Sequence, residues 1–315
     1  IEGMAIPDKD RPITDYEAEF AAYVDTAADR ATVLRQMRSL WSRFTLEIAA
    51  ADVYERLPIA EIRNRQTLLA EAAAATAIRI AVENNLQRFS DIPFHPIILA
   101  LGKLGSGTLD YGSDLDLVMS YDDAGNLTPH SAEPEVCSRV VEHFVDLLSS
   151  MTRDGNLYRV DLRLRPHGKN GPNIISLGAL IEYIESEASI WELLAYVQMR
   201  ALNIGTGGAD HHEASIRDAI HRRASREDRA TIKHEARAMR LRLERTHAAR
   251  GRNVDIKFGA GGLLDVYFVV RYLLLLDLRA IAPEAMTTSA RLDAFAAAGM
   301  LSAEDHAALH EGHGF

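Results

Sequence analysis

Apolar residues recur at helical spacing through the first part of the chain. Over residues 15–50 they form one wide stripe, and after a connection that contains Pro58 an alanine-rich helical pattern follows over residues 60–87. The stripe consists of Phe20, Tyr23, Val24, Val33, Leu34, Met37, Leu40, Trp41, Phe44 and Leu46. The pattern predicts a helical region over residues 1–90.

The spacing changes beyond Pro93 and Pro96, where short apolar runs and period-two alternation replace the helical stripe. Alternation of this kind is typical of strands that bury one face. The elements predicted here are a strand at 97–101, a strand at 115–119, an amphipathic helix at 133–151, a strand at 157–165 that stops before Pro166, and a short strand at 174–175. We therefore expect a compact mixed core over residues 91–205.

Helical spacing returns from Leu177 onward, interrupted mainly by GTGGAD at 205–210 and KFGAGG at 257–262. Helices are predicted at 177–187, 189–203, 212–222, 226–250, 261–279, 288–298 and 302–312. The fold class that results is α+β, with a small mixed-sheet core between a helical region at 1–90 and another at 206–315. Because the helical pattern continues to the last residues, we expect the sequence to be a fragment of a longer chain.

Net charge and cysteine content indicate which partners and which cellular compartment to expect. The chain has 315 residues, a formal net charge of −10 and one cysteine, Cys137. A negative chain disfavours nucleic acid as the partner, and a lone cysteine fits a reducing cytoplasm. No apolar run reaches the eighteen residues that a membrane span needs, and the first residues lack the pattern of a secretory signal. We expect a cytoplasmic protein without a membrane or nucleic-acid partner.

Two aspartates, Asp114 and Asp116, stand one residue apart at the start of the second predicted strand. Side chains at i and i+2 of a strand point to the same face, so the two carboxylates repel unless a positive charge lies between them. Carboxylate oxygens are ligands that Mg²⁺ prefers. Asp161, on the third predicted strand, is the candidate third ligand of a two-metal site, and Arg163 and Arg165 share its predicted face.

A glycine-rich turn with the sequence GKLGSG lies just before these acids, at 102–107. Gly105 and Ser106 can present backbone amides and a hydroxyl to a terminal phosphate, and Lys103, Arg163 and Arg165 are candidates to meet its charge. The order is neither that of a Walker A loop nor that of a dinucleotide-binding turn. A Gly-Ser turn, an Asp-x-Asp pair and a later third Asp form the pattern of a nucleotidyltransferase. The alternative is that the arginines only neutralise the acids and that Lys103 is a plain strand-end residue.

Four stretches resemble, in order, the motifs of the glutamine synthetase adenylyltransferase family, whose members add and remove AMP on a tyrosine of glutamine synthetase. These stretches are LGKLGSGTLDYGSDLDLVMSYD, YRVDLRLRPHGKNGP, SIWELLAYVQMRAL and DIKFGAGGLLDVYF. By this resemblance, Gly105 and Ser106 match the phosphate-side turn, and Asp114, Asp116 and Asp161 match the acidic triad. The resemblance runs from about residue 30 to the end of the chain.

The last of the four stretches departs from the family at one position. Lys257, Gly261, Gly262 and Asp265 match, but the glutamate usual two residues after that aspartate is Tyr267 here. We therefore expect this segment to be chiefly structural.

The resemblance implies an enzyme that uses ATP and Mg²⁺ and has glutamine synthetase as its partner, with a PII-type signalling protein as a further candidate partner. The family has two homologous halves, and this chain is long enough for one. The YGSDLDL form and the EASIWE spacing favour the half that transfers AMP from ATP. The alternatives are the phosphorolytic half that removes AMP, a uridylyltransferase of a signalling protein, and a non-catalytic module that senses nucleotide and docks the partner.

Overall fold

The computed structural model describes residues 13–86, 94–122, 134–153, 155–202, 209–247, 255–277 and 287–314. Pro93, the glycines at 205–208 and the predicted helix ends at 248–250 and 278–279 lie outside these described residues. The chain folds into two compact units, one made of residues 1–177 and 201–209 and the other of residues 178–200 and 210–315. The chain is largely helical and contains one small mixed sheet, which confirms the predicted α+β class.

The first unit begins with three helices, within the region 1–90 that the sequence predicts to be helical. Asp15 and Asp29 start the first two helices by accepting hydrogen bonds from the backbone amides of Ala18 and Thr32, both at 3.0 Å. A short π-helical turn, Ala51–Glu55, ends the second helix. The helices are α1 (Tyr16–Tyr23), α2 (Arg30–Ala50) and α3 (Ile59–Leu86).

The sheet of the first unit is mixed, and its long strands come first in the chain. Strands β1 and β2 are antiparallel, and the short strands β3 and β4 both pair parallel to β2. A one-turn helix, α4, follows β1, and α5 lies between β2 and β3. The bounds are β1 (Pro96–Ala100), α4 (Gly102–Gly105), β2 (Leu115–Tyr121), α5 (Pro134–Ser149), β3 (Val160–Asp161), β4 (Ile175–Ser176) and β5 (Arg200–Ala201). The sheet order is β3-β2-β1-β5.

One hydrophobic core joins the N-terminal helices of the first unit to its sheet. Phe44 of α2, Leu69 of α3, Ile98 of β1, Leu117 of β2 and Phe144 of α5 are all essentially inaccessible and belong to the same cluster. The sequence divides the chain into three regions by the type of element that each contains. In the structure, the first helices and the sheet pack on the same core and belong to one unit.

Two predicted elements are wrong in extent. The strand predicted at 157–165 pairs only at Val160–Asp161, because the amide of Arg163 donates to the Asp161 carboxylate (2.8 Å) and turns the chain away. The helix predicted at 189–203 ends at Tyr196. Beyond a turn at Met199 the chain joins the sheet, where the amide of Leu202 donates to the Ile98 carbonyl (2.9 Å).

The second unit is helical. Ser189 and Glu192 form a capping box at the start of α7. The helices are α6 (Leu177–Ser186), α7 (Ile190–Tyr196), α8 (Ala209–Ala224), α9 (Arg229–His247), α10 (Leu263–Leu276), α11 (Thr288–Ala297) and α12 (Ala303–Gly314). In the described parts of the chain, no helix combines the length and the apolar character needed to cross a membrane.

Candidate active site

The three predicted acids meet at one end of the sheet. Asp114 directly precedes β2, Asp116 is its second residue, and in the parallel pairing of β2 with β3 Asp116 lies opposite Asp161. Leu115 and Leu117 are fully buried on the other face of β2, which leaves the acidic residues on the accessible face. The register thus brings Asp161 next to an aspartate more than forty positions earlier in the sequence.

Two arginines hold the outer acids. Arg159 donates from Nε to Asp114 Oδ1 at 2.6 Å, and Arg163 donates from Nε to both Asp161 oxygens at 2.9 and 2.8 Å. The hydrogen bond from Arg163 lowers the pKa of Asp161. In turn Asp161, with smaller effects from Asp116 and Asp114, raises the pKa of Arg163. The Arg163 guanidinium therefore interacts electrostatically with all three acids.

The carboxylates of Asp114, Asp116 and Asp161 do not point toward one common metal position. Within the described ranges, no three carboxylate, imidazole or thiol groups are arranged to hold a metal ion, since Asp114 and Asp161 each turn toward an arginine. The donor set nevertheless fits Mg²⁺, because it offers only carboxylate oxygens from adjacent strand positions. Arg159 and Arg163 are exposed (side-chain exposure 72% and 70%) and so can move aside without disturbing the core.

The backbone of Gly102 lies directly against the Asp116 carboxylate. It has a left-handed φ of +54°, and a Cβ at this position would lie 2.4 Å from Asp116 Oδ2. The backbone of α4 therefore packs directly against a catalytic candidate, and only glycine allows that approach. The amide of Leu101 also donates to the Asp116 carbonyl at 2.9 Å, which ties the turn to β2.

The predicted phosphate-side turn lies beside Asp116, but most of its amides are already used. The amides of Gly105 and Ser106 donate to the carbonyls of Leu101 and Gly102 at 2.9 and 3.1 Å. The Ser106 hydroxyl is buried and shares a 2.7 Å hydrogen bond with the Thr108 hydroxyl. The turn is thus braced internally, and the phosphate role of Gly105 and Ser106 stays a prediction.

Lys103 lies in α4 rather than at a strand end, and it has an acidic partner that the sequence reading did not single out. Its ammonium pairs with Asp110, which also accepts from Arg63 Nε at 2.9 Å. Burial works to raise the pKa of Asp110, but the hydrogen bonds and charges of Lys103 and Arg63 outweigh it and lower that pKa. This cluster fixes α4 to α3.

Arg165 does not share a strand face with Asp161, contrary to the sequence prediction. The strand ends before it, and its guanidinium donates to the carbonyls of Leu162 (2.9 Å), Gly171 (3.3 Å) and Lys169 (3.4 Å). Arg165 therefore braces the loop after β3. Its predicted phosphate contact would require those main-chain bonds to be given up.

Comparison with known proteins identifies the family. The family model described as glutamate-ammonia ligase adenylyltransferase matches residues 4–216, about two thirds of the chain. The chain belongs to this family. The resemblance read from the four motifs is therefore confirmed.

Three similar relatives carry the name bifunctional glutamine synthetase adenylyltransferase/adenylyl-removing enzyme. The protein of Xanthomonas axonopodis pv. citri is 32% identical over 96% of this chain and 33% of its own length. Those of Chromobacterium violaceum and Mannheimia succiniciproducens are each 33% identical, over 73% and 85% of this chain and 25% and 28% of their own. The chain spans a quarter to a third of the length of these relatives.

Two residues of the candidate active site were not predicted from the sequence. Arg159 stands two positions before Asp161, as Arg163 stands two after it, so the period-two spacing could have singled it out. The sequence places Gly102 after the first strand, at the start of the glycine-rich turn, but does not predict its contact with Asp116. This contact joins α4 to β2, and no local pattern reports such a contact.

The Gly-rich segment of the second unit has a structural role, as expected. Asp265 accepts from the amide of Gly261 (2.6 Å) and from Arg240 Nε (2.5 Å), so its carboxylate serves the start of α10. A Cβ on Gly262 would lie 2.7 Å from the Ile256 carbonyl oxygen. The segment is a tightly packed helix start, and its acidic residue binds the amide of the turn before the helix and Arg240.

Proposed function

We propose that this chain is a metal-dependent nucleotidyltransferase that moves AMP from ATP to a tyrosine of glutamine synthetase. The observation that carries the proposal is the register of Asp116 against Asp161 beside Asp114, in a chain that belongs to the adenylyltransferase family. Three acids on neighbouring strands next to a Gly-Ser turn are what such chemistry requires.

Asp114, Asp116 and Asp161 are the proposed metal ligands, reached by Mg²⁺ when Arg159 and Arg163 turn outward. When bound, Mg²⁺ supplies positive charge at the reacting phosphate and lowers the pKa of a coordinated hydroxyl. Once displaced, Arg163 can donate its N–H groups to phosphate oxygens, which it suits as a planar fork. Gly105, Ser106 and Lys103 belong to the turn whose Gly102 contacts Asp116, and they are the proposed contacts of the β- and γ-phosphates.

The reaction forms one bond and breaks one. The tyrosine oxygen attacks the α-phosphorus, the bond from that phosphorus to the bridging oxygen breaks, and pyrophosphate leaves with its electron pair. The phenolic proton must be removed, because a tyrosine with an ordinary pKa near 10 is neutral at pH 7. Asp161 is ionised at that pH and is the proposed acceptor of this proton.

The relatives are named for both transfer and removal of AMP, so the phosphorolytic direction is the second candidate. In that direction, phosphate attacks the AMP–tyrosine phosphorus and ADP is released. The same three acids serve both reactions. Magnesium, ATP and the PII-type partner remain parts of the proposal.

The test is incubation of the chain with glutamine synthetase, Mg²⁺ and ATP labelled at the α-phosphate. A parallel arm contains AMP-modified synthetase with phosphate. Label on the synthetase supports transfer, and release of ADP in the second arm alone assigns the chain to the removing half. If the synthetase gains no label in the first arm and no ADP is released in the second, the enzymatic proposal is refuted.

Asp116→Asn is the decisive variant. It should abolish turnover while the thermal unfolding midpoint stays close to that of the parent. Asp293→Asn, on the exposed surface of the second unit, is the matched control and should keep full activity. If Asp116→Asn stays active, Asp116 is not a ligand. If the parent binds the synthetase without modifying it, the docking-module alternative is favoured.

A further inference from the structure

A row of basic side chains runs along the outer surface of α9. Arg229, Lys233, Arg237, Leu241 and Arg245 follow one another at steps of four residues, and all five are exposed. Residues four apart are neighbours on the surface of a helix, so these positions form one continuous line about 24 Å long. We call this line of four cations and one leucine the basic row.

The basic row departs from the charge pattern of the preceding helix. On α8, Arg217 stands four residues after Glu213 and pairs with it at 2.8 Å. In the basic row the same spacing puts Arg229 next to Lys233 and Lys233 next to Arg237. Among the described residues, none forms an ion pair with any of the row's four cations. Like charges at this spacing destabilise a helix, so the row does not serve the stability of α9.

The length and the surroundings of the basic row limit what it can bind. A line of about 24 Å is longer than one nucleotide needs. The chain as a whole has a net charge of −10, which repels an extended polyanion such as nucleic acid and also a second copy of the chain. A discrete acidic patch on another protein fits best, because it can meet the row without covering the rest of the negative surface.

Leu241 also favours a protein partner. It lies between two arginines of the row, and its exposed fraction is 40%. Contacts to phosphate need only positive charge, whereas protein interfaces combine arginines with apolar side chains. The row contains three arginines and one lysine, and protein interfaces are enriched in arginine and depleted in lysine.

We propose that the basic row docks an acidic surface of glutamine synthetase, with Leu241 contacting an apolar side chain among the carboxylates. This inference rests on the proposed function, which makes the synthetase the protein substrate. Glutamine synthetase is also the protein that the names of the relatives give. Charged contacts of this kind mainly speed the encounter of two proteins and select the partner.

Binding in the absence of ATP and Mg²⁺ tests the basic row separately from turnover. The labelled chain is titrated with unmodified glutamine synthetase, and fluorescence anisotropy gives the dissociation constant from low to physiological salt. Lys233→Glu/Arg237→Glu reverses two neighbouring cations, so it should weaken binding by about tenfold or more and flatten the salt dependence. In AMP transfer it should raise the KM for the synthetase by a similar factor and leave the KM for ATP unchanged.

Arg35→Glu/Arg139→Glu is the matched control, because it changes the net charge by the same amount at two exposed positions of the first unit. It should weaken synthetase binding by less than about twofold, since only the overall charge has changed. The thermal unfolding midpoints of both double variants verify that their helices stay folded.

Leu241→Ser removes the apolar contact and keeps every charge of the row. It should weaken synthetase binding about fivefold, whereas the weak binding of a short DNA duplex should not change. A loss that is equal for the synthetase and the duplex would contradict the apolar contact with a protein.

The outcomes separate the docking surface from the proposed function. If AMP is transferred but the double reversal leaves both the dissociation constant and the KM for the synthetase unchanged, docking is overturned while the function stands. Docking is also overturned if the net-charge control weakens binding equally, if the parent does not bind the synthetase, if the duplex binds more tightly, or if sedimentation shows a dimer that the reversal dissociates. If binding is weakened as expected but AMP is neither transferred nor removed, the docking surface stands and the proposed function fails.

Discussion

Gly102→Ala is the sharpest perturbation of the site because it adds one carbon atom at a known contact. The new Cβ would lie 2.4 Å from Asp116 Oδ2, whereas Cβ atoms essentially never approach another atom closer than 3.0 Å. The carboxylate or the α4 backbone must therefore retreat by at least about 0.6 Å. Displacements near 1 Å cost catalysis about a hundredfold, so we expect a loss of AMP transfer of roughly ten- to a hundredfold.

The same substitution also has a backbone effect that must be measured separately. Alanine at the left-handed φ of +54° costs about 1–2 kcal/mol in the free energy of unfolding. Urea unfolding of the variant gives this loss, and labelled-ATP transfer and Mg²⁺ titration give the effect on the site.

Gly299→Ala is the control, since Gly299 has a φ of +70° with open space around its added Cβ and lies in the second unit. It should show a similar loss of stability with unchanged transfer. If Gly102→Ala keeps full activity and Mg²⁺ affinity while losing no more stability than the control, the close support of Asp116 by α4 is refuted.

Three further predictions concern charges. Arg163→Gln should tighten Mg²⁺ binding about two- to fivefold in calorimetry without nucleotide, because an exposed ion pair worth up to about 1 kcal/mol no longer competes. Asp110→Asn should lower stability by about 1 kcal/mol at pH 7, because the folded-state pKa of Asp110, lowered by Lys103 and Arg63, lies below the unfolded value near 3.9. The parent loses this advantage as the pH falls through the folded-state pKa, so the two unfolding curves should converge in acid. Arg240→Met should lower stability by about 1–2 kcal/mol, since Asp265 loses its ion pair but stays 39% exposed and keeps the hydrogen bond from Gly261.

Each of these predictions has its own contrary result. Arg139→Gln removes another exposed pair, with Glu135, and should leave Mg²⁺ binding unchanged; an equal effect would make the Arg163 result nonspecific. If the difference in unfolding free energy between Asp110→Asn and the parent stays constant down to about pH 2, the stabilisation does not come from the ionised Asp110 carboxylate. An unfolding free energy unchanged by Arg240→Met would show that the Asp265 network contributes nothing.

Both backbone geometry and ion pairs position the carboxylates of the acidic site. The sheet register places Asp116 opposite Asp161, and Arg159 and Arg163 orient the carboxylates of Asp114 and Asp161. A site of this kind does not depend on burial to hold its acids ionised. Under the proposed function, the affinity for Mg²⁺ depends on how readily these exposed arginines move aside, which the Arg163→Gln titration measures directly.

The sequence by itself determined the local features of this protein. Hydrophobic spacing predicted α3, β1, β2 and α5 within a few residues, because burying one face imposes a period of 3.6 on a helix and of 2 on a strand. The i, i+2 spacing of Asp114 and Asp116 likewise placed both acids on one face. Four ordered motifs identified the family.

Only the tertiary structure decided what depends on residues far apart in the chain. The parallel pairing that sets Asp161 opposite Asp116, the pairing of Arg159 with Asp114 and the contact of Gly102 with Asp116 all join separate elements. The chain also leaves β3 after Asp161, although the alternation continues to Arg165, because turn hydrogen bonds replaced strand pairing there. A periodic pattern states which face of an element is buried, but the partner that covers it is selected by packing of the whole unit.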